Sequence, residues 1–266
     1  MSTTITTAAN SDKEMINAVL NRAVEVRHAV RACAFNTALF ARLVLGIALD
    51  AKQTLVLSSG ARQVIFNCSR QWGKSTLAAI KILHLALTKP GSLALVISEN
   101  VNLTSELFQK LDGFFEVLEI PAKTEAGKRV SRVLPNGSRI LGLAAREAAG
   151  RGYTADFVFI DEAARIPDEV MDALLPVIAV RNGDWWMAST PMGRRGRYFE
   201  MWEYGGPEVL KVGATWRENP RLAPGFIDKV RKMRGDAFVQ QEFEGQFVEN
   251  GQFLLDQKQV TGVFVP

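Results

Sequence analysis

The sequence predicts an α/β fold in which a mainly parallel β-sheet is flanked by helices. Three observations carry that expectation. Four short runs are dominated by apolar residues, Gln63–Cys68, Leu93–Ile97, Phe157–Ile160 and Trp185–Ser189, the pattern of strands buried on both faces. Segments with helical spacing separate them, as the crossovers of a parallel sheet require. Finally, 266 residues, 47% hydrophobic and 23% charged, suffice for one large α/β domain or a domain with a small appendage.

Taken in chain order, the first ten residues are polar and read as a disordered tip, with no charged segment leading into an apolar core as a signal peptide would have. From Asp12 to about Gly46 apolar residues such as Ile16, Val19, Leu20 and Val24 recur at three to four, which predicts helix, with Ser11 as its N-cap. Gln63–Cys68 is the first buried strand. A glycine turn then opens a helix from about Lys74 to Leu87, which Pro90-Gly91 stops, and Leu93–Ile97 is the second strand. A helix from about Asn102 to Leu118 follows, with Leu103, Leu107, Leu111 and Phe114 or Phe115 on one face.

Val130–Leu134 and Ser138–Leu143 flank Pro135-Asn136-Gly137, and Asn-Gly is a favoured hairpin turn. Phe157–Ile160 is a third strand in the main series. Pro167 suits the first turn of a helix running to about Ala179. Trp185–Ser189 leads into a glycine- and arginine-rich turn, Val209–Ala214 reads as a fifth strand, and short helices over about Gly225–Arg234 and Asp236–Phe243 close the domain.

Composition excludes several functions. The richest apolar stretch, Ala38–Leu49, is interrupted by Arg42 and falls short of the ~20 residues of a membrane span. The two cysteines, Cys33 and Cys68, make no disulfide framework and fit a reducing compartment. With only His28 and His84 besides, no zinc-ligand spacing exists, so metal chemistry has to run through oxygen ligands. A net charge of +4 and a pI of about 9.1 permit contact with nucleic acid without demanding it.

The chemistry is concentrated in Cys68-Ser69-Arg70-Gln71-Trp72-Gly73-Lys74-Ser75-Thr76, between a strand and a helix. This is a Walker A loop with Cys68 in place of the first glycine. Ser69, Gln71, Trp72, Gly73, Lys74, Ser75 and Thr76 are expected around the nucleotide. Gly73 lets the backbone approach a phosphate, and the helix start supplies free N–H groups. Lys74 is expected to reach the β- and γ-phosphates and the Ser75 hydroxyl to ligate magnesium. Phe157-Val158-Phe159-Ile160-Asp161-Glu162 then has the form of a Walker B strand, which would deliver Asp161 to hold magnesium and Glu162 to polarise water as general base. The fold expectation sharpens accordingly to a P-loop NTPase of the ASCE/RecA-like kind, with ATP and Mg2+ as cofactors. Ser189-Thr190, before Pro191, either contact the γ-phosphate or its water and couple hydrolysis to a moving part, or form an ordinary strand-end turn.

Together these residues resemble the N-terminal ATPase domain of the large terminase subunit of tailed phages. That family replaces the first P-loop glycine with a small residue or serine followed by Arg-Gln-x-Gly-Lys-Ser/Thr, and Ser69–Ser75 follow the same departure. Asp161-Glu162-Ala163-Ala164 and Ser189-Thr190-Pro191 resemble its Walker B and coupling motifs, and the likeness covers roughly Leu45 to Phe247. The resemblance implies that Gln53 reads adenine, the alternative being a solvated helix residue. It implies that Arg70 stabilises γ-phosphate charge in cis. It places Arg151 where a trans-acting finger has been located in related motors, the alternative being a loop arginine bonded to backbone carbonyls.

What the resemblance implies about function is an ATP-driven translocase that moves double-stranded DNA into a procapsid. Its partners would be the portal protein and the small terminase subunit, its assembled form a homo-oligomeric ring, a pentamer by the usual inference, and its location the host cell cytoplasm, away from any membrane. The expected organisation is an N-terminal helical extension (1–46), an ATPase domain (47–248) and a tail or linker start (249–266). Large terminases continue into a nuclease whose clustered acids bind two metals. Asp256 alone makes no such site, so no nuclease activity is expected of this chain. Arg194, Arg195 and Arg197, and Lys229, Arg231, Lys232 and Arg234, either neutralise DNA phosphates or form solvated faces, and Trp185 and Trp186 are expected in the core. Two other functions use the same motifs. A superfamily 2 helicase fragment would need a second RecA-like domain after Phe247, and a nucleotide-dependent assembly switch would bind ATP with turnover incidental.

Overall fold

A computed structural model describes residues 24–128, 130–149, 152–219 and 222–248. Its frame is a seven-stranded sheet of β1 (Gln63–Cys68), β2 (Leu93–Ser98), β3 (Ser131–Val133), β4 (Arg139–Ala144), β5 (Phe157–Asp161), β6 (Asp184–Ser189) and β7 (Val209–Ala214), in the order β3-β4-β2-β5-β6-β1-β7. Every pairing is parallel except β3 with β4. The mainly parallel sheet expected from the sequence is therefore the one present.

The helices are α1 (residues 24–32), α2 (Thr37–Leu43), α3 (Ala51–Ser58), α4 (Lys74–Thr88), α5 (Ser105–Val117), α6 (Ala145–Ala149), α7 (Asp168–Ala179), α8 (Gly196–Tyr204), α9 (Phe226–Arg234) and α10 (Asp236–Glu244). Alternation along each strand sorts its side chains between two cores. Val64, Phe66, Val96, Phe159 and Trp186 pack with α2 to α5, whereas Ile65, Leu95, Ile97, Ile160 and Met187 pack with α6 to α8. A third, small cluster of Ile227, Val239 and Phe243 joins α9 to α10. Trp185 and Trp186 are buried, as expected.

Several expectations need correction. The long N-terminal helix is interrupted: α1 ends in a turn, and Asn36 caps α2 by accepting from the Leu39 amide. Residues 12–23 of that expectation, Asp256 and the tail lie outside the described residues. Leu103 sits in a short 3-10 turn, 44% exposed, while Leu107, Phe108, Leu111 and Phe115 form the buried face of α5. The hairpin is present, but its second strand, β4, also pairs in parallel with β2 and so extends the main sheet. The glycine- and arginine-rich turn after β6 gives way to a full helix, α8, and neither α3 nor α6 was expected as an element.

Candidate active site

The strand order brings the chemistry to one edge of the sheet. β6 is the only strand between β1 and β5, so at ~4.8 Å per strand their ends lie about 10 Å apart. Register places Asn67 opposite Ser189 and Asp161 opposite Ala188. The loop leaving β1, the Ser189-Thr190 pair leaving β6 and the acid pair ending β5 therefore converge.

The loop's shape follows from its glycine. Gly73 adopts φ +111° at the start of α4, a conformation that suits glycine alone, and a Cβ there would come within 3.2 Å of the Gln53 amide nitrogen. The first intrahelical bond of α4 is donated by Leu77 to the Gly73 carbonyl, which leaves the earlier amides, Lys74 to Thr76, free of helical partners. Gln71 is also left-handed, at φ 62°. The Lys74 ammonium donates to the Cys68 and Ser69 carbonyls at 2.8 and 3.0 Å. Burial draws its pKa below the ordinary lysine value, and Asp161 and Glu162 are among the anions opposing that shift.

Each expected site residue has a definite place, apart from Arg151, which lies outside the described residues. Ser69 is buried, with its amide donating to the Ala214 carbonyl. Gln71 is exposed, and Ser75 and Thr76 lie in the first turn of α4. Trp72 is 4% exposed and packs its ring against Phe66, so only its backbone is available to a ligand. Gln53 is half-buried and belongs to a capping box: its amide donates to Asp50 Oδ1, its Oε1 accepts from the Asp50 amide at 3.2 Å, and its Nε2 donates to the Trp72 carbonyl at 3.1 Å. Both ends of the Gln53 amide are thus engaged, which supports a brace for the loop more directly than an open reader of adenine. Asp50-x-x-Gln53 is the sequence pattern that could have announced both α3 and this brace.

The acid pair is electrostatically tense. Burial, then the neighbouring Glu162 charge, push Asp161 up to about 6, with Lys74 pulling the other way. Glu162 takes a left-handed backbone (φ 51°, ψ 42°), a costly conformation for a non-glycine residue and one concentrated at functional sites. Its Oε2 accepts from Arg165 Nε at 3.3 Å and lies 3.5 Å from Ser189 Oγ. Adjacent carboxylates beside a lysine, a helix N-terminus and the Ser75 hydroxyl form the oxygen-rich set that magnesium with a nucleotide phosphate requires, and a divalent cation would relieve the Asp161–Glu162 repulsion. The residues present fit both groups. Among the described residues no group of three or more His, Cys, Asp and Glu could hold a metal, so magnesium here would rest on the acid pair, the Ser75 hydroxyl and phosphate oxygens, and no helix is long and apolar enough to cross a membrane.

One residue was missed altogether. Glu242, on α10 and 4% exposed, accepts from Arg70 Nε at 2.8 Å and from Thr190 Oγ1 at 3.3 Å through the same oxygen. Val239, Glu242 and Phe243, spaced at three and four, share the buried face of α10. An acid on such a face needs a partner, which is the clue the sequence held. The basic clusters are partly compensated. Arg197 is paired with Asp172 and Glu200, Arg194 lies over the Phe199 ring, and Arg231 pairs with Asp228 and Asp236.

Comparison with known proteins gives the family and the fold. A family model described as "Terminase large subunit, T4likevirus-type, N-terminal" matches residues 65–261. The large terminase subunit of Escherichia phage T5 is 31% identical over 189 residues, 67% of this chain and 42% of that protein. The chain spans about half the length of the curated relatives it matches. The ATPase domain of the Thermus phage P74-26 large terminase has the same fold at a TM-score of 0.67 and 23% identity, covering 79% of this chain and 97% of that one. A large terminase from a thermophilic bacteriophage in complex with ATP-γ-S aligns at 0.63 and 15% identity, over 76% of this chain and 53% of that one.

Proposed function

The chain belongs to the terminase large subunit family, and from that premise we propose that it is the ATPase domain of a DNA-packaging motor, hydrolysing Mg-ATP to drive double-stranded DNA into a procapsid. The observation that carries the reading is the convergence of the β1 loop and the β5 acid pair across the single strand β6, close enough for the two acids to act on Lys74 and for Lys74 to act on Asp161. The solved relatives include a P74-26 ATPase domain and a large terminase bound to ATP-γ-S, which supports the same chemistry here.

In this reading the free amides from Lys74 to Thr76 receive phosphate oxygens, and Lys74 exchanges the Cys68 and Ser69 carbonyls for the β- and γ-phosphates. Ser75 and Asp161 would hold magnesium, which when bound neutralises charge on those phosphates. Glu162 takes a proton from the attacking water, with Ser189 and Arg165 fixing its carboxylate. Arg70 meets charge developing on the terminal phosphate, and Arg151 is the arginine proposed to act on a neighbouring subunit's site. Gln53 braces the loop around the nucleotide. Ser189 and Thr190 connect this chemistry to α10 through Glu242.

The proposal includes an N-terminal helical extension (1–46), seated on the domain core through Cys33 and Phe40, the ATPase domain (47–248) and a tail (249–266). It also includes double-stranded DNA, the portal protein and the small terminase subunit as partners, a ring of copies as the assembled form and the host cytoplasm as its place. Steady-state ATP hydrolysis by wild type and Lys74→Ala tests the core of it. Removing a charge-stabilising donor of this kind lowers kcat by about 100- to 1,000-fold. Equal turnover in the two proteins would overturn the assignment.

A further inference from the structure

Glu242 is a buried carboxylate on a helix that no motif marks, yet it meets two of the site's elements at once. One oxygen accepts from the Arg70 guanidinium in the β1 loop and from the Thr190 hydroxyl after β6. Arg70 engages it through Nε alone. A guanidinium has five N–H donors in a rigid planar fork, so a hold through Nε alone leaves the four donors of the terminal amines outside the pair. The Arg70 side chain is 51% exposed against 5% for Glu242: the carboxylate is the fixed member of the pair and the guanidinium the member facing outward. The Glu162 charge also acts on the Arg70 guanidinium, after that of Glu242.

The seat of Glu242 is itself fixed. The C-terminal end of α10 is held on β1 by Asn67 Nδ2, which donates to the Gly245 carbonyl at 2.7 Å. Gly245 is left-handed at φ +68°, and a Cβ there would crowd Asn67 at 3.2 Å. On the other oxygen, Glu242 accepts from Gln241 Nε2 at 3.2 Å. Groups that act on reacting atoms work only when a second layer locks their orientation, and Glu242 has the attributes of that layer.

We propose that Glu242 is a positioning residue that orients Arg70 toward the terminal phosphate, so that the seating of α10 and the charge-stabilising arginine move as one unit. The assignment rests on the hydrolysis reading above. It makes α10 a reporter of the site: displacement of the α9–α10 pair withdraws the carboxylate that orients Arg70.

The test compares Glu242→Gln with wild type and repeats the substitution in an Arg70→Ala background, measuring kcat and KM for Mg-ATP, together with the Arg70 Hε resonance in an arginine-labelled protein. Glu242→Gln is expected to lower kcat by about 10- to 100-fold, leave KM essentially unchanged, lower kcat no further once Arg70 is absent, and shift or broaden the Hε signal. A role of Glu242 that does not pass through Arg70 would lower kcat by the same factor in both backgrounds, and that result overturns the proposal. So does wild-type kcat in Glu242→Gln, or an Hε signal indifferent to it. Should Glu242→Gln fail to fold, Glu242→Asp, which keeps the charge but shortens its reach, reads the same loss of kcat. A chain that turns over no ATP in any form sinks the hydrolysis reading and this role with it, whereas normal turnover in Glu242→Gln sinks this role alone.

Discussion

The Gln53 side-chain amide donates to the Trp72 carbonyl at 3.1 Å, tying the first turn of α3 to the loop that precedes α4. With its other end taken by the Asp50 amide, Gln53 braces the loop, a role that does not depend on which purine is bound. Gln53→Ala is therefore expected to weaken ATP and GTP together, by roughly the 1–3 kcal/mol of a polar group left without its partner. Competitive binding of the two nucleotides checks this. A loss confined to ATP would instead put the amide on the adenine ring.

Glu162→Gln keeps the size of the side chain and removes its basicity. Because Lys74, Ser75 and the α4 amides remain, nucleotide binding is expected to persist while kcat falls about 100- to 10,000-fold, the usual contribution of a general base. Filter binding and single-turnover hydrolysis on the same protein read the two separately. A variant that hydrolyses normally would remove Glu162 from the mechanism.

Asp161 sets a pH dependence of stability whose sign is unusual for a carboxylate. Its folded value of about 6 stands above the ordinary 3.8, so the folded chain binds the extra proton. The contribution is fully present below the unfolded value and is lost as pH rises through 6. At ~1.4 kcal/mol per unit it amounts to no more than about 3 kcal/mol. Relative to Asp161→Asn, wild type should thus lose melting temperature between about pH 4 and pH 7.5, in the absence of divalent cations. Parallel profiles for the two proteins would count against the raised value. Magnesium with ATP, by favouring the carboxylate, should shrink the difference.

Asp156 joins parts of the frame remote from the site. It accepts from the Leu93 amide and pairs with Lys89 and Arg181 at 2.6 Å each, with only 1% of its side chain exposed. Burial alone would raise its pKa, but the cations and the amide hold it below the usual carboxylate value. Asp156→Ala leaves the buried Leu93 amide without its acceptor, while Lys89 and Arg181, 55% and 41% exposed, can turn to water, and it is expected to cost about 1–3 kcal/mol, read by urea denaturation. A loss under about 1 kcal/mol would mean that the amide finds water as well.

The elements legible in the sequence were those with a local signature. Gln63–Cys68, Leu93–Ile97, Phe157–Ile160 and Trp185–Ser189 were readable as strands because a strand buried on both faces needs an unbroken apolar run. α8 was not, because its amphipathic face, Tyr198 and Phe199 among it, begins inside the glycines and arginines that read as a turn. α3 was hidden by its shortness, although its capping box was in view. Leu103 was assigned to the buried face of α5 by spacing alone, and the chain's 3-10 entry into that helix turned it outward.

What the amino-acid order determined by itself is the strand–loop–helix around Lys74 and the acid pair after Ile160. Their geometry depends on neighbours a few residues away and on backbone preferences that travel with the sequence. Only the tertiary structure decided that β6 separates the two, that Gln53 grips the loop, and that Glu242 meets Arg70 across 172 residues of chain. Such contacts exist because the sheet's strand order and the two packed cores bring distant segments together, and no local pattern encodes which buried acid will find which arginine.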